Sequence, residues 1–324
     1  MPTVYLILAT VCIGSQFLLQ KLYQKKFCKT FLSIAFFPVL LALFMGLIYF
    51  ALAGFRLEVA GFTLLMAFFL AITNAHNNLV GLVIMKHCNM SFYSMFLMMG
   101  GMFLPFWYGV LLSPVKEPLT VFKVVGLVFL IAGLLLVSLT GKGGKKSSKT
   151  GLILCVCVFI MNGFQSTITK IHQTYANIGA VTALNSEQFV IWTMIFTTIL
   201  SFGVYGVIWY RERKKIKALK VLGEIQEDAE DIKSQTAKEG KKFNPLIVYQ
   251  ALLIIVVVLV CATAGLTNVK AQLTLPASMV FPITTGGSIV IMSLGGMVFY
   301  KEKLNTLGIV GIVFAIISVV LFSL

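Results

Sequence analysis

Residues 116–138, KEPLTVFKVVGLVFLIAGLLLVS, and residues 301–323, KEKLNTLGIVGIVFAIISVVLFS, are one passage written twice. Lys116, Glu117, Leu119, Gly126, Phe129 and Ser138 return as Lys301, Glu302, Leu304, Gly311, Phe314 and Ser323, at a constant offset of 185. Each copy sets a charged pair before an apolar run. A helix rises about 1.5 Å per residue, so roughly 20 such residues cross the hydrocarbon of a bilayer. A second correspondence opens each half: Gly14, Gln16, Lys21 and Gln24 return as Gly163, Gln165, Lys170 and Gln173, offset by 149. Apolar text repeats by chance because its alphabet is small. Shared Gln, Lys and Glu at fixed offsets do not, and the gain of 36 between the offsets matches a hydrophilic insertion at 209–245 in the second half.

Working outward from these runs, ten apolar segments are expected to be helical spans: 3–21, 31–54, 59–85, 91–112, 120–140, 151–171, 184–208, 246–269, 277–299 and 304–324. Charge, Pro or Gly marks most of the junctions, as at Lys25-Lys26, Arg56, Lys86-His87 and Lys301-Glu302-Lys303. Hydrophobic residues make up 59% of the 324 positions and charged ones 11%, against about 25% charged in soluble domains. Such a chain cannot clothe itself in water. A transmembrane barrel is excluded, because its strands alternate over about ten residues, whereas these runs are continuous and twice as long. The first segment does not read as a secretory signal: no basic residues precede it, and Gln16, Gln20 and Lys21 stand where a small-residue cleavage site would be.

The net charge of +15 does not point to nucleic acid, since the basic residues sit in short clusters between apolar runs. With loops after helices 1, 3, 5, 7 and 9 on one side, that side carries 21 of the 26 Lys and Arg residues. The positive-inside bias makes it cytoplasmic and puts both termini outside the cytoplasm. Seven of the eleven acids fall within 209–245, which reads as a surface loop with a possible helix at 218–232. Six cysteines lack metal-ligand spacing and read as buried core residues.

Five helices per half is an odd number, so the second half enters the membrane from the opposite side. Inverted repeats of this kind build secondary transporters, which bind substrate near the midplane between the repeats. The whole chain also resembles the drug/metabolite transporter superfamily, in its ten-helix EamA-like branch. Gly14-Ser15-Gln16, Asn162-Gly163-Phe164-Gln165 and the acidic residue before helices 5 and 10, with Gly126 and Gly311 after it, carry the resemblance. It implies an all-α membrane protein with repeats at 1–141 and 151–324, a basic linker at 142–150, a central cavity and transport of a small organic solute across the plasma membrane. The insertion 209–245 is longer than that family's pattern, and its members are commonly drawn with cytoplasmic termini.

Polar side chains in hydrocarbon are expensive, so each is a candidate for the solute site. Thr73-Asn74-Ala75-His76-Asn77-Asn78 in helix 3 is the densest group, with Asn74 and Asn78 on one face and Thr73 and Asn77 on another. These residues read either as a cavity wall or as interhelical hydrogen bonds worth about 0.6 kcal/mol each. Gln16 and Gln165 occupy repeat-equivalent places beside Gly14 and Gly163 and are expected to line the cavity. Thr284 and Thr285, within Pro282-Ile283-Thr284-Thr285-Gly286-Gly287, fall in the least regular span. Proline there signals either an interrupted helix at the site or a plain kink. Glu187 is a candidate for proton coupling, or else lies in the first turn of helix 7 behind an Asn185 or Ser186 cap. Lys21 and Lys170 are expected to reach water from helix ends; facing inward instead, they would favour an anionic solute. Glu302 is expected to cap or pair near Lys301.

An enzyme is disfavoured. Both aspartates, Asp228 and Asp231, are in the insertion, the histidines His76, His87 and His172 are scattered, and no phosphate-binding loop is present. A channel or scaffold protein is the remaining rival. The partners expected are a small-molecule substrate and the lipid bilayer, as monomer or homodimer, with no cofactor and no nucleic acid.

Overall fold

A computed structural model describes residues 2–115, 118–139, 149–221, 245–274, 277–302 and 306–324. Glu117, most of the basic linker, Asp228, Asp231 and Pro276 lie outside the described residues. Among those described there is no strand, and the α-helices are α1 (Pro2–Phe27), α2 (Phe31–Leu52), α3 (Gly61–His87), α4 (Met90–Trp107), α5 (Val121–Leu139), α6 (Lys149–Asn177), α7 (Ser186–Val221), α8 (Pro245–Thr274), α9 (Ala277–Tyr300) and α10 (Thr306–Ser323). Eight are long and apolar enough to cross a bilayer, and α5 and α10 contribute the shorter apolar stretches Val121–Gly133 and Thr306–Leu321. The chain is a multi-pass membrane protein. Only helices can cross lipid this way, because each satisfies its own backbone hydrogen bonds.

α4 forms the centre. Fifteen of its eighteen residues are buried, with Met95, Met99 and Tyr93 almost wholly enclosed. It has no charged side chain and is apolar all round, as a helix surrounded by other helices must be. Pro105 lies near its end, where the helix widens into a π-turn (Tyr108–Leu112) closed by a bond from Ser113 N to the Tyr108 carbonyl at 2.8 Å. Around α4 the helices pack in a regular pattern: α5 on α10, α1 on α8 and α9, α6 on α3 and α4, α7 on α2 and α3, with α4 also against α9 and α2 against α8. On the outside, Phe202, Leu252, Val121 and Val313 leave large apolar surfaces uncovered, which suits contact with lipid tails and not with water.

The junctions gather at two ends. At one, the end of α1 meets the starts of α4 and α8 and the α9–α10 junction, through Lys21 to Glu302, Met90 N to Glu302 and Lys26 to Tyr249. α7 ends there too, since Tyr205 packs on Phe36 near the start of α2. At the other end, Gln188 holds the α2–α3 loop by donating from Nε2 to the Arg56 carbonyl (2.9 Å) and accepting from Glu58 N–H (3.2 Å). Trp192 adds a bond from its indole N–H to the Glu58 carbonyl at 2.7 Å.

Four helices run well past their expected ends, α1 to Phe27, α6 to Asn177, α8 to Thr274 and α7 furthest. α7 does not stop near 208 but continues to Val221, because Arg211, Glu212, Arg213, Lys214 and Lys215 are good helix formers that need no hydrocarbon around them. α9 is continuous from Ala277 to Tyr300, through position 282 and through Gly286 and Gly287. It is not an interrupted helix: Gly286 and Gly287 face Val319 of α10 and Thr10 of α1 at close range, so their small size serves packing.

Candidate functional site

Within the polar run on α3, Asn77 faces α6. Asn77 is buried and donates from Nδ2 to Gln165 Oε1 at 2.9 Å, while His76 Nδ1 lies 3.4 Å from Asn77 Oδ1. These three side chains form one hydrogen-bonded row, Gln165–Asn77–His76. One helical turn away on α6, Asn162 donates to the Leu97 carbonyl of α4 at 2.6 Å. α6 can come this close because Gly100 of α4 and Gly163 of α6 have no side chains. A Cβ on Gly100 would strike the Phe159 carbonyl, and one on Gly163 would meet Leu104 and the Gly100 carbonyl. Thr73 is spent locally, bonding to the Leu70 carbonyl at 2.8 Å.

Asn74 and Asn78 are half-buried and make no hydrogen bond with the described residues. Gln16 on α1 is in the same state, although its repeat counterpart Gln165 is bonded. One turn further, Gln20 reaches Cys261 Sγ at 3.9 Å. The structure therefore joins Gln165, Asn77 and His76 and leaves Gln16, Asn74 and Asn78 with amide groups available. Thr284 and Thr285 are both buried, and Thr284 Oγ1 donates back to the Val280 carbonyl at 2.8 Å. Glu187 is exposed in the first turn of α7, where Asn185 Oδ1 accepts from Gln188 N–H at 2.9 Å as the cap. The capping geometry of the sequence alternatives is the one present.

The charges at the first end depart from expectation. Lys21 does not reach water. It is 8% exposed and ion-paired with Glu302, and its ammonium stands 5.0 Å from the centre of the Tyr300 ring. Glu302 does not pair with Lys301, which is exposed with a left-handed backbone (φ 54°). Its second oxygen accepts from Met90 N–H at 2.7 Å, at the start of α4, where the helix dipole favours a negative charge. Lys21 and Glu302 were both visible as repeat residues; their pairing across 281 positions was not.

A second unforeseen group is His172. Its ring is 2% exposed and stacks on Phe189, with centroids 4.0 Å apart, and on Phe62 at 5.8 Å. Nε2 shares a bond with Thr63 Oγ1 at 3.1 Å, and the same oxygen accepts from Leu184 N–H at 2.9 Å. This fastens α3, α6 and α7 at the second end. All six cysteines are free thiols, with Cys28, Cys155 and Cys261 buried. Among the described residues no three His, Cys, Asp or Glu side chains gather as metal ligands.

Compared with known proteins, the chain matches no family model and no curated sequence.

Proposed function

We propose that this protein is a secondary-active carrier of a small, polar, uncharged organic solute, built as two inverted five-helix repeats that cross the membrane ten times. The observation that carries the reading is the Gln165–Asn77–His76 row inside the spans, with Asn74, Asn78 and Gln16 holding spare amide donors and acceptors. Amides in hydrocarbon are costly unless they meet a partner or a wet cavity. Amides also recognise hydroxyl, amide and zwitterionic groups without demanding a net charge. The helix pairing supports the repeat reading. Exchanging each helix of one half for its counterpart turns α1–α8 into α6–α3, α1–α9 into α6–α4, and α2–α8 into α7–α3, and all of these pairs occur. α2–α7 and α5–α10 map onto themselves. A two-fold axis has this effect; in this reading the odd number of spans per half lays it in the membrane plane, and rocking about it is how such carriers alternate.

In this reading the Lys21–Glu302 pair seals one end of the bundle. It must part whenever that end opens. The resemblance to the ten-helix drug/metabolite transporters agrees with this reading, and the missing nucleotide-binding loop makes the driving force a gradient or an exchange. In this reading the Lys-rich end lies inside by charge bias, and the plasma membrane is what the family resemblance implies.

The test is counterflow in proteoliposomes loaded with pooled amino acids, sugars and nucleosides. Saturable, trans-stimulated uptake is expected. Asn77→Leu should reduce it at least tenfold while the protein keeps its elution profile and thermal midpoint. Unitary currents without counterflow would overturn the carrier reading in favour of a channel.

A further inference from the structure

A pocket of about 280 Å³ lies among α2, α3 and α7, lined by Pro38, His76, Leu79, Ser201 and Val204 together with other apolar side chains. Ile72 and Val204 also line it, and each remains 40% exposed. The pocket is therefore open to the outer surface of the bundle, at positions well inside the spans. Its lining includes no Lys, Arg, Asp or Glu. A charged ligand would find no countercharge in an apolar site, a cost that excludes both anions and ammonium groups.

Two polar side chains break the apolar lining, and both have unspent hydrogen-bonding capacity. Hydroxyls on a membrane helix usually return to the carbonyl four residues back. On α7 this is what Thr193, Thr197 and Thr198 do, at 2.8, 2.7 and 2.8 Å. Ser201 does not. Its hydroxyl is buried, the residue is 4% exposed, and it has no partner among the described residues. His76 supplies the other group. Asn77 donates its amide N–H to Gln165, so Asn77 Oδ1 is the acceptor for His76 Nδ1–H. In the neutral ring this fixes the tautomer and leaves Nε2 with a lone pair to accept a hydrogen bond.

We propose that this pocket binds a neutral amphiphile drawn from the bilayer, an apolar body of about nine heavy atoms bearing one hydroxyl. The size follows from the volume at roughly 30 Å³ per water-sized group. The hydroxyl is the group that satisfies both walls, donating to His76 Nε2 and accepting from Ser201 O–H. A plain acyl tail would fill the space and leave both polar groups unmet. The row His76–Asn77–Gln165 links the pocket to the amides of α6, so occupancy is felt there whether or not the chain is a carrier.

The experiment uses the full chain in phosphatidylcholine nanodiscs and a diazirine derivative of 1-octanol as photoprobe. Peptide mapping should place adducts on 35–38, 72–80 and 200–204. Excess 1-octanol should suppress them, and octane at equal membrane concentration should be at least tenfold weaker. Ser201→Ala removes one oxygen, and it should weaken the competition by octanol about three- to tenfold, the range of one net hydrogen bond. Equal competition by octane would show a groove for acyl tails and overturn the proposal. So would adducts confined to other peptides, or a Ser201→Ala protein that octanol protects as well as the parent.

Discussion

Lys21 and Glu302 show how much one residue depends on its partner. Both are nearly out of water, and Glu302 also holds the first turn of α4 through Met90 N–H. Removing one member of such a pair leaves an uncompensated buried charge, which costs about 3–5 kcal/mol. Lys21→Met is therefore expected to lower the thermal midpoint of the purified protein sharply. Lys21→Met/Glu302→Gln should regain most of the loss, because the amide still accepts from Met90 and no charge is stranded. A double mutant no better than Lys21→Met would remove the ion pair as the cause. Cys28 gives a second expectation at this scale. It lies between α1 and α2, 2% exposed, and burial pushes its thiol up to about 11. A thiol attacks as the thiolate, so at pH 7 only about one in ten thousand molecules is reactive. Maleimide labelling read by peptide mapping should leave Cys28 unmodified until the protein unfolds, and rapid labelling at pH 7 would contradict its burial.

Among the elements, α4 and α6 meet backbone to backbone, and the contact depends on absent side chains. Association in lipid gains little from hydrophobicity, so small residues that let backbones meet supply much of the packing energy. Gly100→Ala would drive a methyl into the Phe159 carbonyl and should destabilise the protein by about 1–3 kcal/mol, as overpacking does. On α7, a Cβ at Gly203 or Gly206 meets nothing within 4 Å. There Gly→Ala should be neutral or stabilise by up to about 1 kcal/mol, from helix propensity alone. Thermal unfolding of the three variants side by side checks the contrast. The helices themselves were legible in the sequence: 31–54 and 59–85 were expected, and Phe31–Leu52 and Gly61–His87 are found. Continuous apolarity fixes where a span lies but not which way it is rotated. Asn77 facing Gln165, and Thr73 turning to its own backbone, therefore could not be read from a run in which nearly every other position is apolar. Charge marks the end of the hydrocarbon and not of the helix, so apolarity alone ends α7 near 208 although it runs to Val221. Lys21 was expected in water because its neutralising partner lies 281 residues away.

For the whole molecule, the pairing pattern and the charge distribution can be tested together. The Lys-rich end collects the α1–α2, α3–α4 and α9–α10 junctions and the exposed Arg211, Arg213, Lys214 and Lys215 at the end of α7, while the opposite end joins the α2–α3 and α6–α7 loops. An odd number of crossings separates Lys29 from Ile178 if every helix from α2 to α6 spans the bilayer. Both positions are exposed. In a background without native cysteines, Lys29→Cys and Lys301→Cys should be blocked by a membrane-impermeant maleimide from one side, and Ile178→Cys only from the other. Positive-inside bias makes the first side the cytoplasm, since anionic lipid and insertion hold Lys and Arg there. α5 is the decisive crossing, because as the last helix of the first half it sets the side from which α6 enters. If α5 failed to cross, Ile178 would label from the same side as Lys29. The halves would then run parallel, their two-fold axis would stand along the membrane normal, and a carrier rocking about an in-plane axis would lose its geometric basis.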